Sequence, residues 1–172
     1  MKMETLKGKI CAHQELQNSI TRVVDLVNID GPLLTLYLHA NKNLYLLDWV
    51  DRDNTANRWL IYRTNPLLLE QFIKCNISHH ALFMGGESFV YKTNIDKNLN
   101  WNNWQIIEKK DLPNGYLPPK DILFEQEYCS DYQKLLDFIH SENTQLDNKT
   151  KDKRTKIEGI ARRAAKLLNE AA

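Results

Sequence analysis

Three apolar runs separated by short polar turns fill residues 33–64, LLTLYLHANKNLYLLDWVDRDNTANRWLIYRT. Apolar and other side chains alternate within these runs, which is the pattern of β-strands, whose successive side chains point to opposite faces. The connections at residues 40–42 and 51–56 are rich in Asn and Asp, which favour turns. We therefore expect consecutive antiparallel hairpins, that is, a β-meander.

The strand pattern extends on both sides of this stretch. Residues 21–29 are apolar and β-branched and lead into a turn at residues 30–32, Asp-Gly-Pro. Residues 87–93 and 104–108 also have the composition of strands. The sheet is thus expected to gain one strand before the quoted stretch and two after it.

Two short helices are predicted between the fourth and fifth strands. Asn65 is a suitable N-cap and Pro66 suits the first helical position, so a helix is expected over residues 67–74. Ser78 can cap a second helix that ends at Phe83, before two glycines. The predicted fold class is α+β: an antiparallel β-meander sheet covered on one face by short helices, plus a C-terminal amphipathic helix.

Alternation divides the meander into two faces. The aliphatic face must be core and consists of Leu34, Leu36, Leu38, Leu44, Leu46 and Val50. The opposite face carries Thr35, Tyr37, His39, Tyr45, Leu47 and Trp49. The register of the fourth strand decides whether Trp59, Ile61 and Arg63 join this second face, or Arg58, Leu60 and Tyr62. The partner-binding candidates from these strands are Tyr37, Tyr45, Trp49, Arg58 and Arg63.

Three interpretations fit the aromatic face. Aromatic rings beside arginine stack on the bases of single-stranded nucleic acids, and Tyr, Trp and Arg also dominate protein interfaces. In the third interpretation, the segment with Trp101 and Trp104 packs over the face and buries it. We favour this interpretation over an open binding face, because aromatic residues are often simply buried. Between the two binding functions we favour a protein partner, because an acidic body is poorly suited to phosphate.

The charge is distributed unevenly along the 172 residues, although the formal net charge is only +1. Residues 1–146 hold 15 basic and 18 acidic residues, whereas residues 147–172 hold 8 basic and 4 acidic residues.

We predict a helix from the capping box at Ser130 to about His140. The predicted organisation is an α+β domain over residues 1–142, a polar linker over residues 143–154 and a basic amphipathic helix over residues 155–172.

The C-terminal helix has an apolar stripe at helical spacing and a basic opposite side. We take as further partner-binding candidates Ile157, Ile160, Ala164, Leu167, Leu168, Arg162 and Arg163. The helix is expected to dock on its own domain, to bind a partner or a second copy, or to contact an acidic polymer.

No motif for catalysis, a cofactor or a metal ion stands out, and none of these is predicted. Asp48, Asp51 and Asp53 lack the spacing of a calcium loop and are expected in a solvated turn beside arginines. His79 and His80 are expected at the surface beside a helix cap. One enzymatic alternative is kept: a metal-dependent nuclease in which Asp96 and Glu108 hold Mg²⁺ and Lys110 orients water.

The cellular setting is inferred from what the chain contains. Cys11, Cys75 and Cys129 form no CxxC pair and are expected as reduced thiols. There is no apolar run long enough for a membrane span, and the first residues lack the apolar stretch of a secretory signal. We therefore expect a cytoplasmic protein that does not use a membrane.

Part of the chain resembles a family of small bacterial domains. The resemblance lies in Asp30-Gly31-Pro32-Leu33-Leu34, Asn43-Leu44-Tyr45-Leu46, Trp49-Val50-Asp51, Trp59-Leu60-Ile61-Tyr62 and Ile77-Ser78. It is similar to an uncharacterised family whose meander carries a DGP…LYL..WVD pattern, and it covers roughly residues 21–90. The resemblance implies a bacterial cytosolic setting and no activity that could be assigned to a residue.

The function expected from these observations is non-catalytic protein binding. The chain would act as an adaptor, an inhibitor or an immunity or antitoxin-like component of a bacterial cytosolic system, and self-association through the C-terminal helix is a further form of the same idea. The alternatives are nucleic-acid binding through the basic tail and, less favoured, the metal-dependent nuclease.

Overall fold

A computed structural model describes residues 16–170 of the chain, with side chains up to Glu158. The strands are β1 (Ile20–Asn28), β2 (Pro32–His39), β3 (Leu44–Arg52), β4 (Ala56–Thr64), β5 (Phe89–Asp96) and β6 (Trp101–Glu108). They form one six-stranded antiparallel sheet in chain order. The helices are α1 (Pro66–Ile73), α2 (His79–Met84) and α3 (Tyr132–Glu170), and residues 16–19 before β1 are also helical. The predicted α+β fold class is confirmed.

The meander places three of its hairpin turns at one end of the sheet, because alternate turns of a meander share an end. These are the β1–β2 turn (residues 29–31), the β3–β4 turn (residues 53–55) and the β5–β6 turn (residues 97–100). We call this end the three-turn end. Asp30 and Leu99 have φ values of 53° and 63° there, so two residues with side chains adopt left-handed backbone.

The helix-facing side of the sheet is the core that the sequence predicts. Leu36 and Leu46 are fully buried on this side, as are Phe72 of α1 and Phe83 of α2. Phe83 packs edge-to-face on Tyr62 of β4, with ring centroids 4.8 Å apart. The two short helices thus cover the aliphatic face.

Local capping explains where α1 and α2 begin. The Asn65 side chain accepts a hydrogen bond from the Leu68 amide at 2.9 Å, and the Ser78 hydroxyl accepts one from the Ala81 amide at 3.2 Å. Both predicted caps are confirmed. After α2 the chain passes so close to β4 that a Cβ on Gly86 would lie 2.4 Å from the Arg63 carbonyl oxygen. Only glycine fits this approach.

The C-terminal helix is continuous, and this corrects two predictions. Asp131, not Ser130, caps it by accepting from the Lys134 amide at 3.0 Å. The helix does not end near His140, and residues 143–154 are helical instead of forming an irregular linker. No Gly or Pro interrupts residues 131–158, and threonine hydroxyls bond the carbonyl four residues earlier, as Thr150 does to Leu146 at 2.9 Å. A polar stretch without helix breakers therefore continues the helix.

The chain divides into two compact units, one ending at Leu135 and one beginning at Leu136. This boundary lies within the first turns of α3, earlier than the predicted domain boundary at residue 142. No helix in the described part of the chain is long and apolar enough to cross a membrane.

Candidate partner-binding groove

The sheet face opposite the helices is aromatic, as the alternation predicts. In the β3–β4 pairing, Leu47 lies opposite Ile61 and Trp49 opposite Trp59. The register therefore selects the first of the two sets considered for the fourth strand, so Trp59 and Ile61 share a face with Trp49, whereas Arg58 points to the other face. This shared surface is the only one in the first unit that joins aromatic rings from β2, β3, β4, β5 and β6 within its described residues.

Leu16 covers one part of this face. It is 5% exposed and forms a small buried cluster with Leu47 and Ile61. Around this cluster pack partly buried side chains, namely Ile20, Tyr37, Tyr45, Trp59, Tyr91, Trp101 and Trp104. The aromatic face is thus a second, thinner core that is only partly closed.

Trp101 and Trp104 do not form a separate covering layer, contrary to the third interpretation of this face. They lie in β6 and extend the same surface as a ladder of nearly parallel rings. The centroids of Tyr91 and Trp104 are 5.2 Å apart and those of Trp101 and Trp104 are 6.1 Å apart. The strand that was expected to bury the aromatic face enlarges it instead.

An open groove of about 780 Å³ lies on this face at the three-turn end. Its floor includes Tyr37, Trp49, Trp59 and Trp101. Its rim comes from the three turns and the adjoining strand ends, with Asp30, Leu33, Arg52, Asn57, Asp96 and Leu99. We call it the aromatic groove. Its volume falls in the range of pockets that hold ligands or several side chains of a partner.

A buried carboxylate fixes one wall of the aromatic groove. Asp25 is fully buried and accepts hydrogen bonds from Thr35 at 2.8 Å, from Asn28 at 2.9 Å and from the Arg22 Nε at 3.0 Å. The Arg22 side chain is half exposed and lines the groove. The buried Asp25 carboxylate therefore holds the Arg22 guanidinium in place.

The remaining charges at the rim differ in how they are held. Asp96 accepts from the backbone amides of Asn98 and Asn100 at 2.8 and 2.9 Å, and these bonds, led by those from Asn100, lower its pKa. Arg52 and Asp30 are exposed, and neither belongs to an ion pair among the described residues. Burial raises the pKa of Tyr37, so the floor stays uncharged at neutral pH.

Leu99 is an unusual residue for its position. It lies at the tip of the β5–β6 turn, is 76% exposed and has a φ of 63°. A left-handed residue at a turn is ordinarily Gly or Asn, because a larger side chain is strained there. An exposed leucine in this conformation therefore brings neither folding nor solubility advantage to the turn.

The sequence-predicted site residues do not come together in one place. Tyr37 and Trp49 line the aromatic groove. Tyr45 and Arg63 lie near the opposite end of the sheet, where Arg63 pairs with Glu87 at 3.0 Å. Arg58 is on the helix-facing side and binds Asp51 through two hydrogen bonds of 2.5 and 2.9 Å.

Of the C-terminal candidates, only Ile157 has a described side chain, and it is 67% exposed. The backbone of α3 extends through the others up to Glu170. The structure does not describe the side chains of the other six candidates, which are Ile160, Ala164, Leu167, Leu168, Arg162 and Arg163.

Sequence reasoning missed several groove residues. Arg22 and Arg52 were not selected, and Trp101 was placed in a covering segment. The signal for Arg22 was its spacing of three residues from Asp25, but a buried carboxylate cannot be recognised from spacing alone. The signal for Trp101 was its place opposite Ile95 in the last hairpin, which depends on where the β5–β6 turn falls.

A buried polar trio lies on the other side of the sheet and corrects two expectations. Asp48 and His79 were expected at the surface, but Asp48 Oδ2 is 2.8 Å from His79 Nε2 and 3.2 Å from the Tyr62 hydroxyl. All three side chains are largely excluded from solvent. The trio joins α2 to β3 and β4, so its role is to position the helix.

The nuclease alternative requires Asp96 and Glu108 to hold the same ion. Asp96 ends β5, whereas Glu108 lies opposite Phe89 at the start of β5. A strand of this length separates them by roughly 20 Å, which is too far for one metal ion. Glu108 instead pairs with Lys110 at 2.8 Å, and the described residues contain no group of three or more potential metal ligands.

Comparison with protein-family models, with curated proteins and with solved structures finds nothing that matches this chain. The resemblance of residues 21–90 to a bacterial small-domain family therefore rests on the quoted motifs alone, and the function has to be argued from the groove.

Proposed function

We propose that this chain is a non-catalytic binding module that holds a protein partner in the aromatic groove. The observation that carries the proposal is the groove floor, where three tryptophans and a tyrosine lie together and no layer of the residues that the structure describes covers them. Such rings provide a large apolar contact area with little loss of side-chain entropy on binding, and Trp, Tyr and Arg are the residues that most often dominate protein interfaces.

The charges of the groove favour protein over nucleic acid. Its rim combines Arg22 and Arg52 with Asp30 and Asp96, whereas a nucleic-acid surface needs an excess of cations. Arg58 and Arg63, the two sheet arginines considered for phosphate contacts, are both bound to carboxylates. Roles as an adaptor, an inhibitor or an immunity component of a cytosolic bacterial system are specific forms of the proposed function.

Affinity capture with groove variants tests the proposal. Tagged wild-type protein, Trp49→Ala and Arg52→Ala are each used to recover proteins from a lysate of the cells that make it, and the recovered proteins are compared by mass spectrometry. We expect at least one protein to be recovered by the wild type and lost with both variants. Arg52 is exposed, so its variant is expected to keep the fold even if Trp49→Ala weakens it.

Leu67→Ala is the matched control, because Leu67 is 62% exposed on α1, outside the groove. It should recover the same proteins as the wild type. Identical recovery by the wild type, the control and both groove variants would contradict the proposed function.

A further inference from the structure

Beside Arg22, which pairs with Asp25, and the half-buried Asp96, the rim of the aromatic groove carries two exposed charges of opposite sign on different turns. Asp30 belongs to the β1–β2 turn, and Arg52 closes β3 beside the β3–β4 turn. Neither forms an ion pair among the residues that the structure describes. A surface that contains both members of a charge pair is complementary to itself, which is the requirement of a two-fold symmetric interface, where residue i meets residue j and j meets i.

The groove also combines a cavity with projecting apolar side chains. Leu99 and Ile29 are 76% and 46% exposed on two of the three turns, while the groove beside them offers about 780 Å³ of space. Leu99 keeps this exposure despite its left-handed backbone. An observed strain of this kind points to a functional requirement at the position. Exposed apolar side chains beside an apolar groove with a polar rim mark an interaction site.

From these observations we infer that the aromatic groove is occupied by a second copy of this chain. In the resulting symmetric dimer, the two aromatic faces meet at their three-turn ends. Leu99 of each copy enters the groove of the other, and Arg52 of each copy faces Asp30 of the other. The inference rests on the proposed function, because it names the protein that the groove holds.

Sedimentation equilibrium of the full chain over a concentration series tests the dimer. The wild type is expected to show a monomer–dimer equilibrium, and Leu99→Asn to raise its dissociation constant about tenfold or more, as expected for a central apolar anchor. Asn tolerates left-handed backbone, so this variant should keep or improve the thermal stability of the monomer. Leu67→Asn, at an exposed leucine outside the groove, should dimerise like the wild type.

The charge pair has a test that does not depend on the stability of either variant. Arg52→Asp and Asp30→Lys are each expected to weaken their own dimer, because each places like charges opposite one another. An equimolar mixture of the two variants restores opposite charges at both contacts of a mixed dimer. The mixture should therefore associate more tightly than either variant alone, and raising the salt concentration should reduce this difference.

The outcomes separate the inference from the proposed function. A wild-type chain that stays monomeric at every concentration, or a dimer that the Leu99 and charge variants leave unchanged, overturns the inference. If the monomer still recovers a different protein through Trp49 in the capture experiment, the proposed function holds without the dimer. If the groove variants change neither dimerisation nor the recovery of partner proteins, both the inference and the proposed function are overturned.

Discussion

Lys109 carries an amine into the core beneath α2. The residue is 5% exposed, and its Nζ donates a hydrogen bond to the Phe83 carbonyl at the end of that helix. The same nitrogen lies 4.8 Å from the centroid of the Phe83 ring and 5.7 Å from that of Tyr62. Burial lowers its pKa from 10.5 to about 8, so the charged form is less stable in the folded state than in the unfolded chain.

This pKa shift predicts how stability depends on pH. Above pH 8 the folded protein releases the Lys109 proton while the unfolded chain keeps it until about pH 10.5, so the free energy of unfolding should rise with pH in this window. Relative to Lys109→Met, the wild type should gain about 1.5 kcal/mol between pH 8 and 9.5. Urea denaturation of both proteins at several pH values measures the difference. Relative to Lys110→Met, which changes an exposed neighbouring lysine and keeps Lys109, the wild type should show no such gain. A difference between the wild type and Lys109→Met that stays constant with pH would contradict the prediction.

The sequence alone does not show which of several adjacent charged residues is buried in the core. Glu108, Lys109 and Lys110 looked like one charged run, and the nuclease alternative used the two outer residues. Which lysine enters the core depends on the face that β6 presents after its bulge near Asn94, and no local pattern shows that bulge. Asp48 and His79 were misjudged for the same reason, since their burial depends on a contact 31 residues apart.

At the scale of the secondary-structure elements, backbone packing constrains the junction between α2 and β5. A methyl group on Gly86 would overlap the Arg63 carbonyl oxygen, which belongs to β4 and cannot move freely. Gly86→Ala should therefore lower the free energy of unfolding by about 2 kcal/mol or more. Gly115→Ala is the matched control, because a Cβ there meets nothing within 4 Å; its effect should stay within about 0.5 kcal/mol. Equal stability of the two variants in urea denaturation would refute this account of the junction.

The continuity of α3 predicts a sharp effect of proline in its exposed middle. Lys151→Pro removes a helical amide donor and clashes with the preceding turn, so the helix should break there. We expect a loss of mean residue ellipticity at 222 nm relative to both the wild type and Lys151→Ala. If residues 143–154 were instead the flexible linker expected from composition, proline would leave the spectrum unchanged.

Strands and short helices were predictable because their signals are local. Alternation gave the two faces of β2 and β3, and Asn65 and Ser78 marked the starts of α1 and α2. The middle of α3 was missed because its residues lack an apolar stripe, and periodicity detects a helix only through the face that it buries. A helix that is polar on every side leaves only the absence of Gly and Pro as a signal.

For the whole molecule, the site was predictable only in part. Tyr37 and Trp49 followed from the alternation within one hairpin, so the sequence indicated the right face of the sheet. The position of the groove on that face could not be derived, because it depends on which turns share an end and on the part that Leu16 covers. The self-complementary charges of Asp30 and Arg52 are 22 positions apart in the chain and become neighbours of one groove only through the meander.

The meander order also has a consequence for how the molecule folds. Every strand pairs with its neighbour in the chain, so the sheet can assemble from short loops, a topology that favours rapid folding. The contact between Asp25 and Ser130 is different, because it closes a separation of 105 residues through the Ser130 amide at 3.0 Å and the Ser130 hydroxyl at 3.1 Å. A contact between such distant residues forms at high entropic cost and is expected after the rate-limiting step.

Ser130 should therefore determine how long the native state lasts, not how fast it forms. Ser130→Ala removes the hydroxyl, which accepts from the Asp25 amide at 3.1 Å and donates to the Asp25 carbonyl at 3.4 Å, and keeps the bond from the Ser130 amide. The loss should cost about 1 kcal/mol. In stopped-flow measurements it should speed unfolding about fivefold and leave the folding rate almost unchanged. A slower folding phase would instead place this contact in the nucleus. The segment between β6 and α3 is thus expected to bind β1 only after the strands of the sheet have paired, and from then on to slow unfolding.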